Sequence, residues 1–153
     1  MMITLKDIKV NYKKYGNKSK VVLLLHGWGQ NIEMMDFIGE FLKKHFTVYN
    51  FDLPGFGESE EPKEVWGVED YADMLKQFCD KKQISNPIII GHSFGCRIAV
   101  RYAYKYGAYK MVLTGAAGIR DKRTLSWYIK VYSYKLIYNF YFDINTKKQN
   151  ITT

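Results

Sequence analysis

Histidine is scarce in this chain. The three present stand at positions 26, 45 and 92, and none follows residue 92. Any proton transfer that needs an imidazole of this chain must therefore draw on one of those three. Carboxylate side chains are as thin in the same stretch, where only Asp121 and Asp143 follow residue 93 and neither comes after a convincing buried strand. Cysteine is rarer still. Cys79 and Cys96 cannot build a disulfide framework, and neither has a second ligand at metal-binding spacing, so no metal and no cofactor are expected. No apolar run approaches the ~20 residues needed to cross a bilayer. The opening Met1-Met2-Ile3-Thr4-Leu5-Lys6-Asp7 lacks the basic-then-apolar pattern of a secretory leader. With 47% hydrophobic and 25% charged residues, the composition is that of an ordinary globular domain, and a cytoplasmic protein is expected. No internal repeat emerges.

What is present is Gly91-His92-Ser93-Phe94-Gly95, a serine between two glycines at the join of a strand and a helix. Pro87-Ile88-Ile89-Ile90 reads as a short buried strand, and Cys96 to Tyr106 reads as a helix with small residues on one side. Ser93 then sits on a sharp turn with its hydroxyl lifted clear of the backbone, as a nucleophile requires. A bulky side chain at 91 or 95 would collide with the neighbouring strand or helix. The competing explanation is an N-capping serine in a glycine-rich turn, which needs only the same short pattern. Two further segments weigh against it.

The first is Val21-Val22-Leu23-Leu24-Leu25-His26-Gly27-Trp28-Gly29, an apolar run that ends abruptly in a glycine-rich loop. A parallel strand buried on both faces reads this way. A loop at its carboxyl end can turn backbone N–H groups toward developing negative charge, and the N–H groups of Trp28 and Phe94 are the candidate donors. His26 is expected to prop this loop and not to titrate. The second is Val48-Tyr49-Asn50-Phe51-Asp52-Leu53-Pro54-Gly55-Phe56-Gly57-Glu58-Ser59, a strand followed by a Pro/Gly-rich turn. Asp52 is expected to fix that turn through hydrogen bonds.

In this order the three segments resemble the α/β-hydrolase superfamily, and most closely its small carboxylesterases with a His-Gly-Trp-Gly loop. His26 to Gly29 look like the oxyanion loop, Asp52 to Ser59 like the turn after the fourth strand, and Gly91 to Gly95 like the nucleophile elbow. The resemblance covers roughly residues 3–119 and, more loosely, the next twenty or so. It implies an α/β fold with a mainly parallel sheet flanked by helices, as an incomplete core of the first six strands with the start of a helical lid. It also implies a Ser-His-Asp/Glu hydrolase in which the acid and then the histidine follow the serine. Here no histidine does, so the strands that would deliver acid and base have no counterpart, and the isolated chain is expected to be nearly inactive.

The remaining elements alternate as an α/β fold should. Leu5 to Tyr15 resembles an opening hairpin strand, with Ile8, Val10 and Tyr12 alternating against Lys9, Asn11 and Lys13. Asn31 to His45 carries Met34, Ile38, Phe41 and Leu42 at helical spacing, and Val65 to Asp80 repeats the pattern through Val68, Tyr71, Leu75 and Phe78. Lys110-Met111-Val112-Leu113-Thr114 is a last strand, expected to leave an open edge that invites pairing or aggregation. Residues 1–119 are read as the core, 120–142 as the start of the lid and 143–153 as an unstructured polar tail. From residue 120 onward seven Lys/Arg face two Asp, so most of the net charge of +8 is local to this segment. Its aromatic residues fall on every side of a helix. The lid reading is preferred to a membrane or nucleic-acid surface because it lies where the family inserts a lid; from Asn139 the preferred reading is a broken lid, as after a frameshift or premature stop.

Three functions follow as expectations. The leading one is a truncated serine hydrolase, in which Ser93 attacks a small ester or related acyl substrate while Trp28 and Phe94 hold the oxyanion. The others are a binding module without chemistry, and a complementation partner whose second chain supplies the acid and the histidine.

Overall fold

The computed structural model describes residues 1–116. The expected lid segment, 120–142, and the polar tail, 143–153, lie outside the described residues. Strand β1 (Met2–Leu5) folds back on β2 (Ile8–Tyr15) as an antiparallel hairpin, so the single strand expected from Leu5 to Tyr15 is in fact two. The turn between them is Lys6-Asp7, both with positive φ (46° and 63°). That double left-handed turn matches the twist of the flanking strands.

Four further strands follow, β3 (Val21–Leu25), β4 (Thr47–Phe51), β5 (Ile88–His92) and β6 (Lys110–Thr114), joined by helices α1 (Glu33–Leu42), α2 (Val68–Lys81) and α3 (Phe94–Tyr106). The sheet order is β1-β2-β4-β3-β5-β6. β3 pairs in parallel with β4 on one side and β5 on the other, and β6 extends the parallel set beyond β5. Only the β1–β2 and β2–β4 pairings are antiparallel. The chain therefore winds one way from β3 through α1 to β4, then the other way through α2 and α3. Such a reversal opens a crevice outside the carboxyl ends of the strands at the switch point, here β3 and β5.

Both faces are covered, and each has its own core. Leu23, Leu25, Tyr49, Phe51 and Ile89 pack with Phe78 of α2 and Ile98 of α3. Phe78 is fully buried, with ring centroids 4.7 Å from Phe51, 5.0 Å from Tyr49 and 5.4 Å from Tyr12. Truncating such a ring to alanine costs about 3–5 kcal/mol. On the opposite face Val22, Leu24 and Val48 pack under Met35 of α1. This two-sided burial is why the parallel strands read as unbroken apolar runs.

α1 and α2 are shorter than their periodicity predicts, while α3 begins two residues earlier than expected. α1 turns Met35 and Gly39 inward, while Phe37 and Phe41 are exposed, so Phe41 does not belong to the packed face. Val65 is fully exposed and α2 starts at Val68, where the N–H of Gly67 donates to the Asp70 carboxylate at 3.0 Å. α2 and α3 are tied by Asp73, which accepts from Lys105 at 2.6 Å and from the Tyr106 hydroxyl at 2.7 Å. Among the described residues no helix is long and apolar enough to cross a membrane.

Candidate active site

β5 delivers Ser93 to the crevice, and α3 begins one residue later. Ser93 adopts φ 47° and ψ −104°, a conformation a side-chain-bearing residue holds only when its surroundings enforce it. The enforcement is visible on both sides. Its N–H donates to the Thr114 carbonyl of β6 at 3.0 Å, and its carbonyl accepts from Cys96 N–H at 3.1 Å to start the helix. The flanking glycines let the backbones close in. A Cβ on Gly91 would stand 2.7 Å from the Gly95 carbonyl carbon and oxygen, and one on Gly95 would stand 2.2 Å from the Leu25 carbonyl oxygen. The two glycines thus bring strand, turn and helix to contact distance, as their places in the motif suggested. Cys96 completes the packing behind the turn, buried with its thiol on the Gly91 carbonyl at 3.1 Å. Burial pushes that thiol's pKa up.

The loop after β3 is braced against this turn. Gly27 carries its α-hydrogens toward the serine, since a Cβ there would lie 3.3 Å from the Cβ of Ser93. Gln30 N–H donates to the Gly27 carbonyl at 3.2 Å, and the Gln30 side-chain oxygen accepts from Gly27 N–H at 2.9 Å. Gly29 supplies the positive φ (71°) that this turn needs at its third position. The Trp28 ring meets the Phe94 ring edge-on at 5.2 Å. Among the described residues neither the Trp28 N–H nor the Phe94 N–H has a protein acceptor. Phe94 opens α3, so its N–H is one of the unpaired donors that give a helix N-terminus its affinity for anions.

The histidines divide clearly. His26 is fully buried, with Nε2 accepting from Leu53 N–H at 2.9 Å and Nδ1 facing the Gly27 carbonyl at 2.7 Å. An amide N–H can only donate, so Nε2 carries no proton and Nδ1 does. Burial lowers the pKa of this imidazole, which remains a neutral strut between two loops. His92 turns its Nδ1 to the Thr114 hydroxyl at 3.2 Å. His45 is exposed beyond the end of α1. Among the described residues no side chain hydrogen-bonds the Ser93 hydroxyl.

Asp52 is a second strut. Its buried carboxylate accepts from Ile32 N–H at 2.7 Å, Glu58 N–H at 2.9 Å and the Asn11 side-chain amide at 2.9 Å. It thereby joins the start of α1, the turn after β4 and strand β2. Sequence reasoning missed Gln30 and Asn11, whose partners are backbone or side-chain groups in loops and strands that the pattern of apolar residues does not register.

Comparison with known proteins places this arrangement in a family. Over 95 residues the chain is 34% identical to a pimeloyl-[acyl-carrier protein] methyl ester esterase of Salmonella newport, covering 62% of this chain and 35% of that protein. A thermophilic esterase from Thermogutta terrifontis superposes with a TM-score of 0.67 at 29% identity, over 74% of this chain and 44% of that one. A meta-cleavage product hydrolase from Pseudomonas fluorescens IP01 superposes with a TM-score of 0.72 at 27% identity, over 82% and 48%. The chain spans between 20% and 37% of the length of the curated relatives it matches. The model of the alpha/beta hydrolase fold family matches residues 20–129, most of the chain, and the chain belongs to that family.

Proposed function

We propose that this chain carries the nucleophile half of a serine-hydrolase site that acts on a small ester or related acyl substrate. The observation that carries the reading is Ser93 held at φ 47° on the strand-to-helix turn, beside two backbone N–H groups without a protein acceptor among the described residues. In the reaction, Ser93 Oγ attacks the carbonyl carbon while a base takes its proton. The carbonyl oxygen becomes the oxyanion, and the Trp28 and Phe94 N–H groups hydrogen-bond it at the positive end of α3. Collapse expels the alcohol, and water then releases the acyl group from Ser93.

Among the described residues no side chain is placed to act as that base. His26 has both ring nitrogens engaged, His92 faces Thr114, and no histidine follows. Losing a triad histidine costs on the order of 10⁶ in turnover in serine proteases, so the chain alone is expected to turn over very slowly. The test is fluorophosphonate labelling of Ser93 with and without added free imidazole, with Ser93→Ala as the blank. Labelling that is slow alone and accelerated by imidazole supports the reading. Fast stoichiometric labelling of the chain alone defeats the missing base; no Ser93-dependent labelling even in imidazole favours a binding module without chemistry.

One observation favours complementation as a second reading. Ser93 N–H is bonded to Thr114 of β6, and among the described residues β6 pairs only with β5. A further strand on its open side would lie about 4.8 Å beyond Thr114. That is within a side chain's reach of the serine for an imidazole on its terminal loop. Labelling that becomes fast only after adding the carboxyl-terminal part of a relative supports this arrangement.

A further inference from the structure

Between the loops that follow β3 and β4 lies a cavity of about 360 Å³. Its deep end is made by Pro54 and Tyr71, both buried. The Tyr71 hydroxyl donates its one proton to the Pro54 carbonyl at 3.1 Å, so it has no donor left for a ligand. The walls are the rings of Trp28, Phe56 and Trp66, with Trp28 and Phe56 edge-to-face at 5.0 Å and Trp66 and Tyr71 at 5.3 Å. Charge is confined to the exposed rim, at Glu61, Lys63 and Glu64.

Two of the cavity's lining rings pack against the residue that follows Ser93. Trp28 forms one wall, and the same ring packs edge-on against Phe94, the residue after Ser93, at 5.2 Å. Phe94 in turn packs against Tyr71 at 5.3 Å. Trp28 is 69% exposed, far more than a ring of that size ordinarily is without a ligand or partner to cover it.

We propose that this cavity holds the apolar arm of the substrate, and that the arm is an aryl or compact branched alkyl group. The inference rests on the serine-nucleophile reading only for where the ester carbonyl sits. A charged group at the deep end would lose its hydration and meet no counter-group. A flat ring instead gains edge-to-face contacts from the walls. At about 30 Å³ for each water-sized group, the space takes roughly a dozen non-hydrogen atoms. A benzyl-sized arm fits, and a long fatty chain does not.

The test uses 1-phenylpropan-2-one, a ketone with a benzyl arm that cannot be hydrolysed, with acetone as the armless control. Binding to the full chain is followed by NMR. The expected result is saturable binding of the benzyl ketone, weakened about tenfold in Trp66→Ala and unchanged within twofold in Ser93→Ala, with acetone giving no saturable shift. Because Trp66→Ala removes a ring that also packs on Tyr71, contacts in the unaltered chain give an independent reading. Intermolecular NOEs from the benzyl protons to the rings of Trp66 and Phe56 are expected. Their absence on a bound ketone, or equal shifts from acetone, overturns the proposal. Since the Ser93→Ala chain must bind as well as the parent, failure here is distinct from failure to label Ser93.

Discussion

The carbonyl oxygen of Leu25 occupies the space beside Gly95 so closely that a Cβ there would sit 2.2 Å from it. The oxygen is backbone at the end of β3 and the Cβ is fixed by the backbone of the first turn of α3, so neither can rotate out of the way. Gly95→Ala must move an element, not a side chain. Overpacking that side chains can absorb costs about 1–3 kcal/mol, and Gly95→Ala is expected to reach or exceed the upper end. Urea unfolding followed by circular dichroism checks it; a midpoint within error of the parent would show that the contact is soft.

Ser93 gives the opposite sign. Its φ of 47° with ψ of −104° costs a side-chain-bearing residue about 1–3 kcal/mol, whereas glycine visits that region freely. Part of the gain is offset by the greater chain entropy of glycine, about 0.5–1 kcal/mol. Ser93→Gly is therefore expected to be more stable than the parent by up to about 2 kcal/mol while losing all fluorophosphonate labelling. A lower urea midpoint for Ser93→Gly would remove the argument that stability is given up here for the nucleophile.

How much of this was legible depended on what each residue's partner was. The strands 21–25 and 88–92 could be read because burial on both faces leaves an unbroken apolar run, and the site motifs lie at their ends. The hairpin turn at Lys6-Asp7 could not, because the residues that advertise a double left-handed turn are Asn-Gly or Asp-Gly. Phe41 misled for another reason. Helical spacing identifies a stripe of apolar residues, but how far round the helix the sheet reaches is a tertiary matter, and here Met35 and Gly39 take the contact. Asp52 was readable as a loop strut from its Pro/Gly-rich surroundings, while Asn11, which lies a strand away and donates to it, was not.

That strut carries a prediction. Asp52 accepts three hydrogen bonds in a buried setting, two from backbone N–H groups. Asp52→Ala leaves all three donors without it, at about 1–3 kcal/mol for each that water cannot reach. Thermal unfolding is expected to drop sharply, by more than in Asp80→Ala, whose exposed ion pair with Lys76 contributes little. Comparable losses in the two variants would contradict the role assigned to Asp52.

His26 makes stability depend on pH. Burial holds its folded-state pKa below the ordinary value of 6.5, so in mild acid the unfolded chain binds a proton that the folded chain does not. Stability then rises with pH across that window and falls as pH drops below about 6.5. His26→Gln is expected to flatten this limb between about pH 5 and 6.5. Urea midpoints measured across the window decide it, and an unchanged slope in the variant would assign the acid sensitivity to another group.

The side of β6 turned away from β5 supplies the last expectation. β6 pairs with β5 alone among the described residues, and its Met111 and Val112, on opposite faces of the sheet, are 41% and 48% exposed. Parallel strands normally lie covered on both faces, and an apolar edge with unpaired N–H and C=O groups is a template for another chain. The protein is expected to associate as its concentration rises. Val112→Lys places a charge on that edge, and charged side chains are a common guard of strand edges. Sedimentation equilibrium should show the variant shifted toward monomer while Ser93 labelling in imidazole stays the same. Identical mass distributions for parent and variant would place the association, if any, elsewhere than β6.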